Sequence, residues 1–378
     1  MILSERLATT AFAFRGYNTT NLGRTPELLA HRAYGRTIER HLNDASELCA
    51  AVLGRPVDLV SRVRDLRESA LDTFAEDIAL IMGVELAQLE ILRDFHGIDY
   101  PQAVVATGYS LGEITALVAG EVMTLEAAMT PLVSLADECA MLAHDVTMGI
   151  VFSRGADLEL DAVHRLCVDI SSRGQGTIAV SSQLSPNTVL ILGQRETVAT
   201  FRAEMNRALD RDVHLRVNSD KWPPLHTPIL RQRSIPDRAA VMIERSSIAM
   251  RPPRPPILSL VTGKASYNDH NCRELLDRWI DQPQRLWDVI CELLAEGIEV
   301  IVHVGPNPNL IPATFKRLSD NIEAQLKGAT LNSLSLRAMS TIARRVWLSN
   351  WLVGRTSLLR APYVHHVVLE DWLLDHVP

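Results

Sequence analysis

The 378-residue chain predicts an α/β protein: a parallel-sheet core with a small second subdomain inserted into it. Three features carry this. Short apolar strands run straight into polar turns and amphipathic helices, the alternation that builds parallel sheets. One such unit, Gln102–Thr107 (QAVVAT), passes directly into Gly108-Tyr109-Ser110-Leu111-Gly112 and then a helix to about Ala119 that stops at Gly120. Between Met148 and Val217 the order becomes strand, helix, strand, strand, helix, strand, the ferredoxin-like βαββαβ arrangement.

The elements follow in chain order. Thr10–Phe14 (TAFAF) reads as a first buried strand, followed by the polar, turn-rich stretch Arg15–Gly23. A loop after a first strand is where α/β proteins build sites. Helical periodicity dominates from about Glu27 to Phe95. The βαββαβ unit reads as GIVFS, DAVHRLCVDISS, TIAVSS, TVLILG, ETVATFRAEMNRAL and VHLRV, with its central turn at Gln183–Asn187. Arg251–Pro256 (RPPRPP) is an extended connector. It leads to a strand ILSLVTG, helices near Arg273–Ile280 and Leu286–Glu296, a strand IEVIVHVG and the turn GPNPN. The expected organisation is a core of residues 1–146 and 219–325, a subdomain of residues 147–218, and a C-terminal extension, 326–378, with no recognisable motif.

Composition bounds the function. Hydrophobic residues make up 47%, enough for a sizeable core, and charged residues 22%. A net charge of −7 argues against a nucleic-acid binder using its whole surface. Five scattered cysteines (Cys49, Cys139, Cys167, Cys272, Cys291) show no CxxC pairing, which speaks against a disulfide framework or zinc site and for a reducing compartment. No metal site is expected. The N-terminus has no signal-peptide pattern, and no apolar run approaches the roughly 18 residues of a membrane span, so a cytoplasmic protein is expected.

The chemistry centres on Gly108-Tyr109-Ser110-Leu111-Gly112, a G-x-S-x-G pattern between a strand and a helix. A serine on so sharp a turn presents its hydroxyl outward, and glycines flank it because there is little room for side chains. The helix N-terminus offers free N–H groups to a developing oxyanion, that of Leu111 first. A serine nucleophile needs a base at neutral pH. Of twelve histidines, His226 lies in a proline-stiffened loop, WPPLHTP. His303 sits on a buried-looking strand, and His365 and His366 near the C-terminus fit the Ser–acid–His order of lipases, so the residues alone leave the base open.

The motif order resembles the malonyl-CoA:acyl carrier protein transacylase family, which includes acyltransferase domains of polyketide synthases. The matching segments are AFAFRG, GYSLGEITALVAGEVMTLEAA, SPNTVLILG, LHTPIL, ILSLVTGK and HVGPNPNL, in the family's order over about residues 10–325. The resemblance implies an α/β-hydrolase-like core and a Ser110–His226 dyad. It implies that the main-chain carbonyl at Trp279 orients the histidine, and that the Tyr17 N–H is the second oxyanion donor beside that of Leu111. On that basis the Trp279 side chain is expected not to matter. It further implies no bound cofactor. The substrate is a phosphopantetheine thioester, with an acyl-CoA or acyl thioester as donor and an acyl carrier protein as partner.

The sequence departs from the family where specificity is set. Malonyl-specific members carry an arginine 25 residues after the serine, a bidentate partner for the malonyl carboxylate. This chain has Leu135 there, which predicts no preference for malonyl. The segment before the histidine is Pro223-Pro224-Leu225, placing Leu225 in the expected pocket, and Arg15 replaces a proline of the first loop as a second route to a carboxylate. Tyr109 stands where histidine is common. Three readings fit: acyl transfer through an acyl-serine in fatty acid or polyketide biosynthesis, hydrolysis of the same intermediate, or a non-catalytic relative that docks a synthase.

Overall fold

The computed structural model describes residues 3–154, 156–209, 212–331 and 355–377. The chain runs β1 (Thr10–Phe14), α1 (Thr25–Ala30), α2 (Gly35–Leu53), α3 (Leu59–Arg64), α4 (Phe74–His96), β2 (Val105–Gly108), α5 (Leu111–Ala119) and α6 (Leu125–Ala143). It enters the subdomain as β3 (Val146–Ser153), α7 (Leu160–Ser172), β4 (Ile178–Ser185), β5 (Thr188–Gln194), α8 (Thr197–Ala208) and β6 (Val213–Asn218). The core resumes with α9 (Ile235–Arg245), β7 (Ile257–Ser259), β8 (Lys264–Ala265), α10 (Cys272–Asp281), α11 (Leu286–Ala295), β9 (Val300–Val304) and α12 (Leu310–Leu331). Strand β10 (His365–Val368) and a last helix, Leu369–Asp375, close the described chain.

The large sheet has the order β10-β9-β1-β2-β7-β8. All its neighbours are parallel except the β7–β8 pair. Strands β1 and β9 are buried at every position, as expected of strands covered by helices on both faces. The register matters for function: Phe14 pairs with both Gly108 and Val304. The loops after β1, β2 and β9 therefore leave the sheet side by side at its C-terminal edge, where α/β folds place ligands. Helix α4 is buried over most of its circumference and braces these loops. Its Glu85 accepts the Arg15 N–H at 2.9 Å, and its Gln88 accepts the Gly305 N–H at 2.7 Å.

The subdomain is a four-stranded antiparallel sheet in the order β4-β5-β3-β6, which suits the βαββαβ succession read from the sequence. Strand alternation splits β5: Val189 and Ile191 pack with Phe201 in the subdomain core, while Leu190 and Leu192 face the large domain.

Two strands differ from expectation. Pro101 lies in a 3-10 turn, Tyr100–Gln102, so β2 starts only at Val105. The run ILSLVTG is strand only to Ser259. Gly263, at φ 75°, turns the chain back, with its N–H on the Ser259 carbonyl at 2.8 Å. Leu260 and Val261 are buried within that turn, so hydropathy alone does not distinguish them from strand. Residue 326, where the sequence suggests a C-terminal extension begins, lies inside α12. Strand β10, further along, extends the core sheet.

Candidate active site

The turn between β2 and α5 holds Ser110 at φ 52°, ψ −116°. Such a conformation costs a non-glycine residue about 1–3 kcal/mol and persists only where the surroundings impose it. Here they do. A Cβ at Gly108 would lie 2.1 Å from the Gly112 carbonyl carbon, and one at Gly112 would lie 2.5 Å from the Phe14 and Arg15 oxygens. Only glycine fits on either side, so the turn stays tight and the serine side chain is thrown outward.

His226 comes from the loop after the subdomain, itself at φ 63°, with its N–H on the Ile280 carbonyl at 2.8 Å. Its Nε2 lies 2.7 Å from Ser110 Oγ and its Nδ1 lies 2.7 Å from the Trp279 carbonyl oxygen. A carbonyl only accepts, so Nδ1 carries the proton and Nε2 turns a lone pair toward the serine hydroxyl. Burial pushes the imidazole down to about 4, partly opposed by the Trp279 carbonyl, so the ring is neutral at neutral pH. Of the histidines weighed from sequence, only His226 reaches the serine. His303 and His366 pair with each other at 2.8 Å, Nε2 to Nδ1, between β9 and β10, and His365 is exposed on β10.

The main-chain N–H groups of Leu111 and Tyr17 have no acceptor among the described residues. Leu111 opens α5 directly after Ser110, and Tyr17 lines the same chamber as Ser110 and His226. That chamber has a volume of about 360 Å³. Its wall is mostly apolar: Met148, Leu184 and Leu190 from the subdomain face Leu310 of α12.

Three expectations are corrected. The Trp279 side chain is not idle: its Nε1–H donates to the Ser110 carbonyl at 3.2 Å, and its ring meets His226 edge-on at 5.0 Å. Leu135 does not line the serine's chamber. It lines a separate apolar cavity of about 50 Å³, which shares Phe74 and Leu225 with the chamber. Arg15 borders the chamber, but its guanidinium is consumed by the protein. It donates to the Gly16 carbonyl at 2.7 Å, to the Pro306 and Thr20 carbonyls, and to Asn21 Oδ1 at 2.7 Å. The side chain that ties the first loop to the turn after β9 leaves no N–H free for a substrate carboxylate. Sequence reading also missed Gln284, whose side-chain amide lies 3.2 Å from His226 Nδ1. Its place after Pro283 gave no sign of this. Among the described residues no group of three or more His, Cys, Asp or Glu is placed to hold a metal.

The chain is 25% identical over 225 residues to the malonyl CoA-acyl carrier protein transacylase of Bacillus subtilis. That match covers 59% of this chain and about half, 53%, of the relative. No family model matches. An acyl carrier protein S-malonyltransferase from Vibrio cholerae superposes with a TM-score of 0.65 at 21% identity, over 81% of this chain and 93% of that one. A malonyl-transacylase solved in complex with its type II polyketide synthase acyl carrier protein gives 0.61 at 18% identity, over 81% and 92%. The fold is thus that of these transacylases, and the family resemblance read from the sequence is borne out. Among the described residues no helix is long and apolar enough to cross a membrane.

Proposed function

We propose that the chain is a serine acyltransferase that carries an acyl group on Ser110 from an acyl thioester to the thiol of an acyl carrier protein, in fatty acid or polyketide biosynthesis. One observation carries the proposal: the continuous hydrogen-bond path from Ser110 Oγ through the His226 imidazole to the Trp279 carbonyl. A neutral imidazole fixed in this tautomer is a general base for the serine hydroxyl. Ser110 Oγ attacks the thioester carbonyl and His226 Nε2 takes its proton. The resulting oxyanion faces the N–H groups of Leu111 and Tyr17. Collapse breaks the C–S bond and His226 protonates the departing thiolate. The acceptor thiol then repeats the sequence in reverse, giving the new thioester and free Ser110. No cofactor is required.

The acyl group is proposed to be uncharged. The wall of the chamber is mostly apolar and the cavity behind Phe74 and Leu225 is apolar. The Arg15 guanidinium is spent on protein acceptors and Arg317 stands exposed at the chamber's border, so among the described residues neither offers a buried, free partner to repay the desolvation of a carboxylate. The solved carrier–transacylase complex of similar fold supports an acyl carrier protein as acceptor.

Intact-protein mass spectrometry after mixing with acyl-CoAs tests the proposal. An acyl adduct is expected on the wild type and not on Ser110→Ala. It should be discharged by a carrier thiol faster than by water. Discharge by water alone makes the chain a hydrolase, and an adduct that survives Ser110→Ala refutes the nucleophile.

A further inference from the structure

Gln284 is fully buried, and its main chain is bonded into the edge of the subdomain. Its N–H donates to the Ser181 carbonyl at 2.9 Å, and its own carbonyl accepts the Gln183 N–H at 2.8 Å. These bonds press the side chain against His226. The amide nitrogen stands 3.2 Å from Nδ1, and the amide oxygen has no partner among the described residues. Nδ1 already donates to the Trp279 carbonyl at 2.7 Å, so two donors face each other while a buried acceptor goes unused. An amide turned by half a revolution has the same shape, and chemistry decides between the two orientations. With the oxygen toward the ring, Nδ1–H is shared between two acceptors. With the nitrogen toward the ring, Nδ1 would have to accept. Nε2–H would then donate to Ser110, and the base would be lost.

We propose that Gln284 is a positioning residue for His226: its amide oxygen shares the Nδ1 proton with the Trp279 carbonyl and stabilises the imidazolium formed when Ser110 attacks. A carboxylate holds this position in a Ser–His–Asp triad, where it fixes the tautomer and supports the charged ring. Here, among the described residues, no carboxylate bonds to the imidazole. Asp281 on α10 is paired with Arg231 at 2.6 Å. Glu113 on α5 is taken by the Leu260 N–H and the Tyr267 hydroxyl, and Glu85 on α4 by the Arg15 N–H. The first loop brings Tyr17 and Arg15 to the chamber, and β2 brings Tyr109, but none of them bonds to the ring. The charged form of a fully buried base therefore depends on two neutral dipoles, those of Trp279 and Gln284.

The inference rests on the acyl-serine reading but is tested apart from it. ¹⁵N-histidine NMR titration of the full chain, with His226→Asn to assign the signal, reads tautomer and pKa without any substrate. In the wild type Nε2 should be the unprotonated nitrogen. Gln284→Glu should raise the His226 pKa by about one unit or more, and should move the low-pH limb of Ser110 acylation by an activated ester the same way. Gln284→Met keeps the shape but offers no acceptor. It should slow acylation about tenfold with KM unchanged. The other histidine signals report folding, and Gln284→Met alone decides if the glutamate variant misfolds. A wild-type ring protonated on Nε2 overturns the proposal. So do folded variants whose His226 pKa stays within about 0.2 unit and whose rate stays within about twofold of wild type. Absence of any acyl adduct on wild-type Ser110 would instead remove the acyltransferase reading, while the titration still decides the role of Gln284.

Discussion

Trp279 and Ser110 are joined by the indole: Nε1–H donates to the serine carbonyl oxygen at 3.2 Å, across 169 residues of chain. The same residue receives His226 Nδ1 on its own carbonyl. One side chain thus ties the strained turn to the helix that orients the base. Trp279→Phe keeps a ring and the carbonyl but loses the N–H. A hydrogen bond of this kind contributes about 0.5–1.5 kcal/mol, so acylation of Ser110 should slow by roughly 2- to 13-fold. A wild-type rate in single-turnover acylation would show that the indole bond does not help position the serine.

His226 should remain an effective base in mild acid. Its pKa is pushed down to about 4, so the ring stays neutral above that value and protonates only below it. The low-pH limb of kcat/KM should lie near pH 4 to 5 rather than near the ordinary histidine value of about 6.5. His226→Ala should slow acylation by about 10²–10⁴-fold and remove this limb. A limb near 6.5 in the wild type would mean that the imidazole is better solvated than its burial implies.

Uncharged acyl groups should load in preference to malonyl. Leu135 lies in a cavity of about 50 Å³ lined by apolar side chains. Competition of equal concentrations of malonyl-, acetyl-, butyryl- and longer acyl-CoAs, read by mass of the acyl-enzyme, is the measurement. Leu135→Arg would bury an unpaired guanidinium there and should lower stability by several kcal/mol, read as a fall in Tm, without creating a malonyl preference, because the cavity is separate from the serine's chamber. A clear malonyl preference in the wild type would sink the proposal of an uncharged acyl group.

Carrier docking should depend on Arg317 and Arg233 rather than on Arg231 or Lys316. Arg231 is paired with Asp281 at 2.6 Å and Lys316 with Asp320 at 2.9 Å. Arg317 and Arg233 are exposed, with no acidic partner among the described residues, and Arg317 borders the chamber. Acyl carrier proteins are generally acidic, so opposite charge steers the encounter. Charge reversal of Arg317 with Arg233 should lower carrier-dependent transfer and its salt sensitivity, and spare loading from a small neutral thioester. Equal loss in both half-reactions would refute docking through these two residues.

Glu113 should make stability fall as pH rises. Burial pushes its carboxyl up to about 7 from an ordinary 4.5, against the hydrogen bonds that Leu260 and Tyr267 supply. Between those values the folded state holds a proton that the unfolded chain has released. The stabilisation is therefore complete below about pH 4.5 and lost on the way to 7, by up to about 3 kcal/mol. Glu85, pushed up to about 8, adds a slope of the same sign. Glu113→Gln should flatten the change in denaturant stability between pH 5 and about 7.5. An unchanged slope would assign it to Glu85 and other groups.

Much of the architecture was legible in the chain because it is written locally. The apolar run of β1, the succession of strands and helices between Met148 and Val217 and the glycines around Ser110 are each read over short segments, and they carry the fold class, the inserted subdomain and the sharp turn. His226 is a different case. It lies 116 residues from Ser110, and composition and periodicity left several histidines open; only the order of motifs singled it out. The uses of particular side chains were decided by the tertiary structure alone. Arg15 reads as a free cation in sequence, but its N–H groups are spent on carbonyls from two loops. Leu135 reads as a pocket residue, but Phe74 and Leu225 separate it from the serine. The Trp279 indole and the Gln284 amide matter because α10 and its following turn fold back onto Ser110 and His226. Propensity and hydropathy report what one short segment prefers, whereas a hydrogen bond between distant segments depends on how the whole core brings them together.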